Sequence, residues 1–222
     1  MCYYDTILNL DLPNNCLGYP QPEGYYHPLE DTSIHERIRG IAFGKWVSSY
    51  YEHPAYAAGP DSNAQNHTKS AFPRGNREMD ALQLRAPKKA ARPCTLDRLT
   101  PRDLLDSVDI APGTRSEWAM WRLPSPVLHA QKCNAIFLPD EDSLKPLPKL
   151  RIRVLCGLAS LWVVQWETWA FEEEYLKWQD EGKAVRPVKF VPVEDANHFV
   201  SLSVISQRQI SVIDFLSSDA LG

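Results

Sequence analysis

Apolar positions along the chain gather into three short runs and two long, helically spaced stretches, divided by polar sequence rich in proline and glycine. Tyr3 to Leu10 (YYDTILNL) reads as a strand and stops at the turn residues Asp11 to Asn15. Four prolines and two glycines between Pro13 and Pro28 then exclude regular structure. Ser33 to Tyr51 predicts a helix. Ser33 and Glu36 have capping-box spacing, in which each side chain satisfies an orphan backbone N–H. Ile34, Ile38, Ile41, Ala42, Trp46, Val47 and Tyr50 follow on one face, and Pro54 ends the pattern. From Ala58 to Pro93 the chain is polar and nearly featureless, which predicts a mobile loop.

Thr100-Pro101-Arg102-Asp103 predicts a further helix start, with Thr as cap, Pro at the first position and Asp near the positive end of the dipole. Ser116 to Phe137 is helical in pattern, with Pro124 and Pro126 as breaks, and Leu144 to Leu150 is a proline-bearing lead-in. Arg151 to Cys156 is a short strand stopped by Gly157, and Trp162 to Trp178 is a helix. Val188 to Val193 is the last strand, and Glu194 to His198 is the turn behind it. Strand, helical insertion, strand, helix, strand implies parallel crossovers and an α/β fold. Three strands alone would leave both edges of such a sheet open.

Composition narrows the function classes. The 222 residues suffice for one sizeable core, and 44% hydrophobic with 23% charged residues is ordinary for a globular protein. A net charge of −4 argues against a polyanion partner. The nine Lys/Arg against four Asp/Glu between Lys69 and Asp103 have only Phe72 among them, so a solvated loop is expected rather than a nucleic-acid site. Seven Trp and nine Tyr require a deep core or an aromatic-lined pocket. Trp46, Tyr50, Trp118 and Trp121 are pocket candidates on that count, with core packing the commoner role. Five scattered cysteines without CxxC spacing suggest reduced thiols and a cytoplasmic protein. No secretory leader and no membrane span is expected. No HxxxH pair occurs, so neither metal nor cofactor is expected, and the composition leaves the oligomeric state open.

The stretch "LPKLRIRVLCG…WVVQWETWAFEEE…RPVKFVPVEDANHFV" resembles the last two core strands of the α/β-hydrolase fold family. There a strand ending in Gly precedes a helix, and a further strand ends in a loop of the type Gly/Asp-Ala-Asn-His-Phe that carries the catalytic base. His198 stands at that His. "ILNLDLPNNCLGYPQPEGYYHPL" is similar to the strand after the nucleophile helix and its exit toward the cap. The resemblance implies a division into 1–23 (core strand and exit loop), 24–144 (helical cap with a loop near 58–93), 145–200 (last core strands and helix) and 201–222 (a divergent, Ser-rich tail). It looks closest to fungal members with long, Trp- and Pro-rich caps, and implies hydrolysis of an ester or related bond in a small apolar substrate.

Departures from the family pattern shape the expectation. No Gly-x-Ser-x-Gly occurs, and family order would place the nucleophile and oxyanion loop upstream of Met1. The acid usually follows the strand ending at Gly157, yet Leu158 to Trp162 holds no carboxylate. Some members carry it after the earlier strand, which makes Asp11 the first candidate and Glu167 the second. Asp11 as a turn cap for Asn14 or Asn15 is an equal alternative. The Trp162–Trp166–Trp169 stripe is expected to be core packing. The chain is therefore expected to be inactive alone, the competing expectation being a non-catalytic pseudo-enzyme that binds a ligand or partner.

Overall fold

The computed structural model describes residues 17–57, 70–72, 77–88, 92–103, 123–138 and 150–199, together with the backbone of 5–9. Asp11, Trp118, Trp121 and the 201–222 tail lie outside the described residues.

Three parallel strands form one sheet in the order β1 (Asp5–Asn9), β2 (Arg151–Gly157), β3 (Val188–Val193). Asp5 pairs with Arg151 at one end of the first ladder, and Ile152 with Val188 in the second. The expected strand spans and their parallel pairing are therefore present, and the fold is α/β in character. β2 is the central strand, and Ile152, Val154 and Cys156 are buried. Ile, Val and Cys at alternate positions put small, stiff apolar side chains on the covered face.

The crossover between β2 and β3 is the long helix α4 (Trp162–Asp180), which α1 (Glu36–Ser48), α2 (Thr95–Arg98) and α3 (Ser125–Lys132) precede along the chain. Trp162 and Phe171 are fully buried and Trp169 nearly so, so the tryptophan stripe packs in the core as expected. Each such side chain contributes about 2–3 kcal/mol by leaving water. Phe171 meets Phe190 of β3 and Phe137, while Tyr175 donates to the Arg186 carbonyl and accepts from Val188 N–H, which fixes where β3 begins.

One helix start differs from expectation. α1 begins at Glu36, not Ser33, because Asp31 captures Ser33 through both its N–H and its hydroxyl. His35 caps the helix instead, accepting from Arg37 N–H. The apolar face of α1 is also narrower than its sequence suggests, since Ile38 and Ile41 are 52% and 63% exposed while Trp46 is buried. α3 begins at Ser125 with Pro124 at its cap and Pro126 in its first turn, where a missing N–H costs nothing; the part of the expected helix before Leu123 lies outside the described residues. At Thr100 the expected cap is present, with Thr100 and Asp103 bonded reciprocally through side chain and backbone.

The polar stretch after Ala58 is irregular but tied down wherever it is described. Phe72 and Leu82 enter the same core as Trp46, Ile152 and Trp162. Arg77 and Ser70 donate to the buried Glu172 carboxylate, and Gln83 N–H donates to His53 Nδ1. The segment expected to form a cap thus shares one hydrophobic core with the sheet.

Candidate functional site

Gly157 ends β2 because the loop after β3 passes directly over it. A Cβ there would lie 2.4 Å from the Ala196 carbonyl oxygen and 2.8 Å from that of Asn197. Leu158 N–H donates to Val193 O and Ala159 N–H to Ala196 O, both at 2.9 Å, so the β2 exit and the loop are laced together. Asp195 turns the loop in the left-handed region (φ 58), which aspartate tolerates better than most residues. Arg92 reaches it at 3.4 Å, an exposed pair of small energetic weight.

Asn197 anchors the loop. Its side chain is fully buried, donates to Ser48 O and Thr95 Oγ1 at 2.8 Å each, and accepts from Phe199 N–H. The Asp-Ala-Asn-His stretch therefore joins the sheet to the C-terminal end of α1 and the start of α2. His198 follows β3 at the C-terminal end of the strands, where open α/β sheets place ligands. The residue is half-buried and its Nδ1 is shut off from solvent. Burial pushes the imidazole down to about 4, so the ring is neutral at pH 7.

The carboxylates expected to orient this histidine are placed as follows. Glu167 is buried on α4, where its charge acts on Tyr19 and Lys132. Asp11 lies outside the described residues. Trp46 belongs to the core and donates to Leu84 O, and Tyr50 is half-buried beneath Arg92. A second neutral imidazole, His53, is buried with Nδ1 accepting from Gln83 N–H, which makes Nε2 the donor to Ser160 O at 2.6 Å. Burial lowers it to about 4 as well. The Ser160 hydroxyl beside it is buried at the strand-to-helix turn, out of reach of a substrate.

A different cluster escaped the sequence reading. Glu174 of α4 accepts from Tyr19 at 2.5 Å and from the buried Lys132 ammonium on Oε2, while Oε1 lies 3.1 Å from His129 Nε2. Cys133 Sγ is 3.5 Å from Nδ1 and 3.9 Å from Nε2 of His129, one helical turn away. Burial lowers Lys132, which the Glu174 charge opposes, and burial raises the Cys133 thiol. Gly18 permits the approach of the Tyr19 segment: φ is +76, and a Cβ would fall 2.3 Å from His129 N. The signal in the sequence was His129-x-x-x-Cys133, a mixed pair that a search for paired histidines passes over.

Comparison with protein-family models, curated proteins and solved structures finds no match to this chain. Among the described residues no helix is long and apolar enough to cross a membrane.

Proposed function

We propose that residues 151–199 form the base-bearing end of an α/β-hydrolase-type site, with His198 in the position of the catalytic base. The observation that carries this reading is the crossing of the Asp-Ala-Asn-His loop over Gly157, directly beyond two neighbouring parallel strands. A base in that place takes a proton from a hydroxyl nucleophile, and a neutral imidazole is the form required. An imidazole held near 4 is a weak base, so a working site needs a carboxylate to raise it. Asp11 is the preferred candidate for that role. The chain contains no Gly-x-Ser-x-Gly, so on this reading it does not turn over esters by itself.

The proposed substrate class is a small apolar ester or related acyl compound. The test is hydrolysis of short acyl-aryl esters by the purified chain, alone and with His198→Ala as control. No turnover above buffer is expected. Turnover abolished by His198→Ala would overturn the inactivity and reveal a nucleophile of another kind.

A second reading has its own support. Asn197 spends its amide on Ser48 and Thr95, so the same loop serves as a structural clasp. In a non-catalytic ligand- or partner-binding protein that clasp would be the loop's whole role. Asn197→Ala would then lower stability while His198→Ala left every binding property unchanged.

A further inference from the structure

Three potential ligand atoms from α3 and its continuation and from α4 converge: His129 Nε2, Cys133 Sγ and Glu174 Oε1, all within 4.8 Å of one another. We propose that they form a binding site for a divalent transition metal of zinc type, with water in the fourth position.

The spacing fits the ion. Zinc bonds of about 2.3 Å to sulfur and about 2.0–2.1 Å to nitrogen or oxygen set tetrahedral edges of roughly 3.6 Å between sulfur and nitrogen and roughly 3.3 Å between nitrogen and oxygen. The corresponding separations here are 3.9 Å for Sγ to Nε2 and 3.1 Å for Nε2 to Oε1. Those two separations need change by only a few tenths of an ångström. The His129 ring must also turn, because Sγ now lies nearer Nδ1 (3.5 Å) than Nε2 and the metal needs the Nε2 lone pair to face it.

The donor set is selective. Thiolate with imidazole favours zinc and its neighbours over magnesium or calcium, which take oxygen ligands. Helical geometry supplies the His–Cys pair, since residues four apart share a face. Their helix continues as a π turn over Cys133–Phe137, a distortion frequent at functional sites. Tyr19 already bonds Glu174 Oε2 and so orients the carboxylate, leaving Oε1 turned toward His129. Such outer contacts hold a metal-binding carboxylate in place. Lys132 on Oε2 is the opposing term, because its charge repels the ion. On binding, the Cys133 thiol loses its proton to solvent and the sulfur donates its electron pair to the metal. With the carboxylate, that leaves two negative ligands around a doubly charged ion.

The test uses the full chain, stripped with chelator and titrated with cobalt(II). One equivalent should give intense visible absorption from a tetrahedral ion and a thiolate-to-cobalt charge-transfer band. Both should disappear in Cys133→Ser and His129→Gln and persist in Cys94→Ser. A charge-transfer band that survives Cys133→Ser, or weak octahedral absorption in the wild type, would overturn the site. X-ray absorption of the zinc-loaded wild-type chain gives a measurement independent of any variant. One sulfur in the metal's coordination shell is expected, and a shell without sulfur is the opposing result.

Discussion

Substituting Gly157 by alanine tests whether the close crossing at the end of β2 sets the His198 loop. The added methyl would meet the Ala196 carbonyl oxygen at 2.4 Å, against 3.4 Å for ordinary contact, so the loop must retreat by about 1 Å. The obstacle is backbone on the far side, which has no rotamer through which to yield. Retreat also stretches the Ala159 N–H to Ala196 O bond. Overpacking of this kind costs about 1–3 kcal/mol and the weakened bond about 1 kcal/mol more, giving about 3 kcal/mol. At a urea slope of about 2 kcal/mol per molar, the midpoint should fall by about 1.5 M. Gly182→Ala is the companion variant. Its φ of +70 strains any side chain, but nothing lies within 4 Å, so only the conformational cost of about 1–2 kcal/mol applies. A second readout is local: opening the loop hydrates His198, and its NMR titration should move from about 4 toward 6.5. Unchanged urea midpoint and unchanged His198 titration in Gly157→Ala would refute the idea that this crossing positions the loop.

Other outcomes follow from the same contacts. His53 and His198 are both depressed to about 4 by burial, so the unfolded chain takes up protons that the native rings refuse between pH 6.5 and 4. Stability should be full above 6.5, decline through that window and level off below about 4, with the buried His53 alone accounting for about 3 kcal/mol. A urea midpoint that stays constant from pH 6.5 to 4 would contradict the buried neutral rings. Glu172→Ala removes the acceptor for Ser70, Ala71 and Arg77 and should cost about 3–5 kcal/mol by thermal or urea unfolding, far beyond an exposed pair such as Lys45–Asp97. Ile41→Lys should change stability by less than about 0.5 kcal/mol, because its side chain is already mostly in water. A loss of 2 kcal/mol or more would mean that Ile41 packs against something.

Local pattern made the strands and α4 legible. Alternating Ile152, Val154 and Cys156, and the closely spaced tryptophans of α4, admit few other readings once Gly157 separates them. The start of α1 was not legible, because Ser33 stands between two possible partners, Asp31 two residues before it and Glu36 three after it, and Asp31 won. The apolar face of α1 misled for a different reason. Helical periodicity marks positions on one side, but only what packs there decides burial, and Ile38 and Ile41 stay more than half exposed. Gly157, Asn197 and His198 could be singled out as a motif, whereas their contacts reach Ser48 and Thr95, which no local rule links to them. Of the Glu174 cluster only the His129-x-x-x-Cys133 pair was legible, because the other parts, residues 19 and 174, are drawn to it only by packing.

Asn197 has a kinetic consequence. Its amide bridges to Ser48 across 149 positions of sequence and to Thr95 across 102. Contacts so distant require most of the chain to be ordered before they reward the closure of the loop between them. The segment bearing His198 should therefore acquire its shape late in folding. Because the clasp is far from both its partners in sequence, an early opening of α1 or α2 would release it before the sheet separates. Slow amide exchange in β2 combined with faster exchange at Phe199, whose N–H is held by the same side chain, would be the signature of that order of events.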